Sequence, residues 1–161
     1  MDEILIRPIE EKDNKELAAL IRAVFEEFGS EKVGTVYSDP ETDALFRYFS
    51  KAGAEYWVAE ENGSLIGGGG IYPTKGLPDG CAELVKLYLS PSARGKGLGL
   101  RLFDKSVKSA IKLGYKQLYL ESFPEFSKAV SMYESFGFKQ LDHPLGNSGH
   151  YACTIYMIKD L

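Results

Sequence analysis

A chain of 161 residues that is 44% hydrophobic and 26% charged fits a single domain over residues 1–161 with an ordinary core. Its net charge of −4 is spread without a basic block or an acidic tail, which argues against a nucleic-acid partner. No apolar run is long enough for a bilayer and "MDEILIRP" lacks a signal peptide's basic start, so no membrane partner and a cytoplasmic location are expected.

A short strand, Ile4 to Arg7, opens the chain. Asp13 is placed to cap a helix through Leu17, Leu20, Ile21, Val24, Phe25 and Phe28, with Gly29 as its stop. Asp39 and Pro40 start a second helix that ends by Gly53. "EYWVAEENGSLIGGGGIY" reads as a hairpin about Asn62-Gly63. "CAELVKLYLSP" is apolar on both faces and therefore a central strand. Alternation puts Glu83 on one face with Val85 and Leu87, and Lys86 on the other with Leu84 and Tyr88. A helix follows, with Leu98, Leu102, Phe103, Val107, Ala110 and Ile111 on its apolar side. "KQLYLES" is a strand. Ser122 and Glu125 fit a capping box for a helix through Phe126, Ala129, Val130 and Tyr133, stopped by Gly137. "FGFKQL" and "HYACTIYMIK" supply the last two strands around the loop "DHPLGNSG". The order β-α-α-β-β-β-α-β-α-β-β is that of an α/β domain with a mixed sheet flanked by helices.

Between the central strand and its helix lies "SARGKGLGLR". Glycine is costly in regular structure, so Gly95, Gly97 and Gly99 need a reason. A helix N-terminus offers free N–H groups and partial positive charge, glycines let an anion approach them, and Arg94 and Lys96 add charge. A dinucleotide-binding fingerprint is excluded, because Leu100 stands where its third small residue belongs. A P-loop is excluded because Gly97, not Ser or Thr, follows Gly95-Lys96.

Arg94-x-x-Gly97-x-Gly99 resembles the signature of the GNAT superfamily of acyl-CoA-dependent N-acyltransferases. A second match is Ala129-x-x-x-Tyr133-x-x-x-Gly137-Phe138. The element order is similar too, so the resemblance covers nearly the whole chain and implies a GNAT fold with a mostly antiparallel sheet. One departure is Phe126, where the family often has Asn. The resemblance implies acetyl-CoA as co-substrate, its pyrophosphate on the loop Arg94, Gly95, Lys96, Gly97, Leu98 and Gly99. Backbone N–H groups around Leu87, Tyr88 and Leu89 would polarise its carbonyl. It further implies Tyr133 as the acid beside the thioester sulfur.

Acyl transfer to an amine needs a base, because an alkyl ammonium has a pKa near ~10. Glu83, a carboxylate among apolar neighbours, is the candidate, and a glutamate at the matching strand position serves as base in several family members. The competing reading pairs Glu83 with a nearby Lys or Arg. Tyr133 could likewise be a core aromatic. Gly67 to Gly70 either admit a ligand or serve packing. Cys81 and Cys153 are expected as reduced, buried thiols with no disulfide framework. His143 and His150 are expected as ordinary loop residues, and no metal site is expected. Acidic residues in the first two helices and the segment between them, Glu26, Glu27, Glu31, Asp39, Glu41 and Asp43, either attract a cationic amine acceptor or, the reading taken here, are solvated faces. The expected function is an N-acetyltransferase acting by direct transfer in a ternary complex, because neither cysteine matches a catalytic position. Its partner would be a small-molecule or peptide amine acceptor, with a homodimer left open. The alternative is a noncatalytic acyl-CoA-binding module of the same fold.

Overall fold

In the computed structural model, residues 3–29, 36–122, 127–146 and 154–161 are described. The strands are β1 (Ile4–Pro8), β2 (Glu55–Glu61), β3 (Ser64–Tyr72), β4 (Cys81–Leu89), β5 (Gln117–Ser122), β6 (Lys139–Leu141) and β7 (Ile155–Asp160). They form one seven-stranded sheet in the order β1-β2-β3-β4-β5-β7-β6. Among the described residues only β4 and β5 run parallel; the other pairs are antiparallel. The mixed, mostly antiparallel sheet inferred from the sequence is the observed one, with β4 at its centre. At the hairpin, Asn62 and Gly63 take φ of 54° and 79°, the left-handed pair that a two-residue turn between twisted strands requires.

The helices are α1 (Asn14–Glu27), α2 (Leu45–Tyr48), α3 (Leu98–Lys112) and α4 (Ser127–Ser135). Leu17, Ile21 and Phe25 of α1 pack with Leu45, Phe49, Tyr56 and Val58. Phe103 and Ala110 of α3 join Val130 and Tyr133 of α4 in a second cluster with Leu84, Leu118 and Met157. Ile111 departs from its expected place: it is exposed, while Ser106 and Ser109 are buried. Ser106 Oγ satisfies itself on the Leu102 carbonyl.

Two helix expectations need correction. Asp13 precedes α1 but its carboxylate does not cap it. Arg7 takes both its oxygens at 2.8 and 2.9 Å, and the Glu10 N–H donates to it. The second helix is not continuous. Asp39 does cap its start, accepting from the Glu41 N–H, but only a 3-10 turn, Pro40–Asp43, follows before α2. Ala44 at φ −135° breaks the run. The capping box at Ser122 and Glu125 depends on residue 125, outside the described residues. So do Phe126, Glu31, His150 and Cys153. Cys81 is buried as a free thiol, and His143 is exposed.

Gly67 to Gly70 on β3 serve packing. A Cβ on Gly67 would meet Leu89 Cδ2 at 2.8 Å, and one on Gly69 would meet Leu87 Cδ1 at 2.7 Å. On Gly68 and Gly70 it would strike Tyr56 and the Glu55 carbonyl. The glycines are the floor on which large side chains of β2 and β4 lie.

Candidate active site

The site begins with a fault in β4. Gly68 pairs with Tyr88 and Gly70 with Val85, so Lys86 and Leu87 together face Gly69. Lys86 takes up the extra residue at φ 54°, a left-handed conformation that a side chain normally avoids. Tyr56, itself buried, holds it by donating its hydroxyl to the Lys86 carbonyl at 2.6 Å. Tyr56→Phe leaves that carbonyl short of a partner and should destabilise the fold by about 1–3 kcal/mol in denaturant titration.

This bulge overturns the alternation expected for the strand. Lys86 does not lie with Leu84; it lies with Glu83. Its Nζ sits 5.0 Å from the centre of the Tyr48 ring. Tyr88 turns the same way and meets Phe25 edge-on at 5.5 Å. Leu84 and Leu87 go to the α3–α4 side. The face toward α1 and α2 therefore carries Glu83, Val85, Lys86 and Tyr88.

A second effect is a gap in the sheet. β4 pairs with β5 only from Cys81 to Glu83, opposite Gln117 to Tyr119. β5 continues on β7 to Ser122, whereas β4 leaves it. A cavity of about 700 Å³ opens there, within the range of small-molecule sites. Its walls include Glu83 to Leu89, Leu120 to Ser122, the start of α3, and Met132 and Tyr133 of α4. Backbone polar groups on β4's free edge need partners, and an extended ligand can supply them as a strand would.

At one end of the cavity, Gly97 precedes α3 at φ 74° and Gly95 stands at φ 78°. No side chain caps this helix, so the N–H groups of its first turn are free for a ligand. A Cβ on Gly95 or Gly97 would meet nothing within 4 Å, whereas one on Gly99 would press on Met132 Sδ at 3.3 Å. The first two glycines keep space open, and the third lets α3 pack against α4. Arg94 is already engaged: its guanidinium grips Glu27 of α1, with Nη2 at 2.8 Å, and donates to the Leu89 carbonyl. Lys96 is not on the cavity wall and lies 3.9 Å from Glu61. Leu98 gives only its backbone, because its side chain is buried.

Glu83 is 4% exposed. It accepts from Thr74 Oγ1 at 2.6 Å and forms no ion pair among the described residues. Burial pushes its carboxyl up to about 7; the Thr74 hydrogen bond opposes this, Glu121 adds to it, and Lys86 opposes it at a distance. Tyr133 is 9% exposed and meets Phe138 edge-on at 5.9 Å. Burial raises its pKa, so the hydroxyl stays protonated. Glu83, Tyr133, Leu87, Tyr88 and Leu89 thus line the same cavity as Arg94, Gly95, Gly97, Leu98 and Gly99. The acidic residues expected to be solvated are partly engaged: Glu27 holds Arg94, Asp43 holds Arg22 at 2.6 Å, and Tyr37 donates to Glu26. Thr74, Glu121 and Glu27 gave no local signal in the sequence; Lys86 did, as the only base in an apolar strand.

A split parallel pair, an uncapped helix beside it and a buried carboxylate with a buried phenol define a site of the acyltransferase kind. The sequence model of the acetyltransferase (GNAT) family matches residues 15–138, and the chain belongs to that family. It is 37% identical over 158 residues to the uncharacterized N-acetyltransferase YjgM of Escherichia coli (strain K12), covering 98% of this chain and 95% of that protein. A GNAT-family acetyltransferase from Staphylococcus aureus Mu50 superposes with a TM-score of 0.87 at 19% identity, covering 99% of each chain. The PaiA N-acetyltransferase of Thermoplasma acidophilum, solved with coenzyme A, superposes at 0.73 with 22% identity over 99% of each chain. The chain is an acyltransferase. No group of side chains that could hold a metal ion occurs among the described residues, and none of their helices is long and apolar enough to cross a membrane.

Proposed function

We propose that the protein transfers an acetyl group from acetyl-CoA to a primary amine, directly, with both substrates bound together. The observation that carries this reading is the cavity between β4 and β5, which joins the open start of α3 to Glu83 and Tyr133. Coenzyme A in the Thermoplasma neighbour supports the choice of co-substrate. The residues present suit it: α3's free N–H groups and Arg94 face a pyrophosphate, and the unpaired edge of β4 faces an extended pantetheine arm. Lys96 contributes charge from outside the wall.

Glu83 takes a proton from the acceptor ammonium, directly or through one water. The freed nitrogen forms its bond to the thioester carbonyl carbon. Backbone N–H groups around Leu87 to Leu89 stabilise the negative charge on the oxygen. The carbon–sulfur bond breaks, Tyr133 donates its hydroxyl proton to the departing thiolate, and the second proton on the new amide nitrogen passes to the tyrosinate, leaving a neutral amide. An acyl-enzyme on Cys81 is disfavoured, since burial pushes that thiol up to about 11 and leaves little thiolate.

Acetyl-CoA at a hundred times its Kd should raise Tm by about 5–10 °C. Gly97→Val should cancel that shift. A side chain at φ 74° is strained, and its Cβ would point into space the protein leaves open. The ligand-free variant should still melt cooperatively. An undiminished shift would detach the cofactor from this loop. Turnover on an amine panel separates the enzyme from a noncatalytic binding module.

A further inference from the structure

Lys86 is 5% exposed and lines the cavity between Val85 and Leu87. A buried ammonium costs several kcal/mol unless it is well paired. Here its Nζ rests on the face of Tyr48, which stacks on Tyr72 at 4.0 Å and 3°. Lys51 covers the far ring at 5.6 Å. Among the described residues Lys86 has no hydrogen-bond or ion-pair partner for that ammonium. Glu83 and Asp39 act on it only through space, opposing the burial that makes it easier to deprotonate. Lys86 lines the cavity wall, so a ligand in the cavity lies within its reach. The bulge that exposes it to the cavity is built, not incidental: Tyr56 clamps the Lys86 carbonyl.

We propose that Lys86 determines acceptor specificity by holding a carboxylate, so that the acceptor is a free amino acid, its amine toward Glu83 and its carboxylate on the Lys86 Nζ. This rests on the assignment of Glu83 as base in the proposed reaction. Glu83 and Lys86 share one face of one strand, at most about 10 Å apart along it. Side chains that close on one face can engage the two ends of one small zwitterion, with a water bridging to the base. A simple cationic amine would meet Lys86 as a like charge. An amino-acid amide would fit but leave the ammonium unpaired, and a site built to pair a group discriminates strongly against its absence.

The test measures kcat/KM at saturating acetyl-CoA for the free amino acids, their amides and their decarboxylated amines. Binding of the same amino acids to the protein–CoA complex is followed by calorimetry. Some free amino acid should exceed its own amide and amine by about 10²-fold or more. Lys86→Met should bring that ratio toward one, chiefly through KM, and should raise Tm, since an unpaired buried charge is removed. If that variant misfolds, Lys86→Gln serves the same comparison. Amines or amides used as well as acids, an unchanged ratio in both variants, or no amino acid binding to the CoA complex overturns the proposal. A lowered Tm for a folded Lys86→Met would also overturn it, because it would make Lys86 a structural partner of Glu83. The acetyl-CoA melting shift, read on the same samples, reports separately on the underlying reaction. Its absence in the unmodified protein would defeat the acetyltransfer reading instead.

Discussion

Tyr133→Phe should lower kcat by about 10²–10⁴-fold while leaving the acetyl-CoA melting shift in place. The substitution keeps the ring that meets Phe138 and removes only the hydroxyl. The hydroxyl makes no hydrogen bond among the described residues. A core aromatic would lose little by shedding it. Burial disfavours the phenolate, so Tyr133 is loaded with its proton at every working pH. It should therefore contribute no alkaline limb near neutrality to the rate profile. Replacing the thiolate with a better leaving group should restore much of the lost rate, because the donor is then needed less. An unaltered kcat, with chemistry shown to be rate-limiting, would return Tyr133 to the core.

Glu83→Gln should cost about 10²–10⁴-fold in kcat/KM and remove the acidic limb of its pH profile. In the unmodified protein that limb should fall at about 7, where the carboxyl titrates. Raising the pH should partly rescue the variant, as more acceptor is then already neutral. The same group makes a separate prediction for stability. Its pKa is raised on folding, so the native state favours protonated Glu83. Stability from this group is complete below the unfolded pKa near 4.5 and is lost as pH rises through about 7. A rise from 4.5 to about 7 corresponds to roughly 3 kcal/mol. Glu83→Gln does not ionise, so it should melt above the unmodified protein by a margin that grows over that interval. A structural ion-pair member would behave oppositely, with glutamine lowering Tm and the activity profile unmoved.

The elements were legible because each rests on a local rule. Asn62-Gly63 can turn only one way, α3's apolar period survives the misplacement of Ile111, and Gly137 ends its helix at φ 97°. Co-location of Glu83 with the glycine loop followed from their place on one strand and the turn after it. What escaped was set by partners far away in the chain. The bulge at Lys86 depends on Tyr56, and without it a period of two assigns Lys86 to the wrong face. Arg94 was expected to be free for an anion, but its carboxylate lies on α1. The split of the second helix has no local breaker, because Ala44 is an ordinary helix former. The opening between β4 and β5 is a property of two strands jointly, and neither sequence alone carries it.

The grip of Arg94 on Glu27 has a consequence for the rhythm of turnover. An arginine that waits alone gains its whole charge-assisted pairing when phosphate arrives. Arg94 starts with a two-pronged carboxylate partner, so a phosphate on it must displace or share that partner, and the net gain is smaller. If the proposed site binds the nucleotide, exchange of one anion for another also offers departure a ready substitute: Glu27 would re-form its contact as the nucleotide leaves. In the proposed reaction the loop would thus trade depth of binding for ease of discharge. That trade suits a catalyst whose spent co-substrate carries the same pyrophosphate as the fresh one and must be cleared in every cycle.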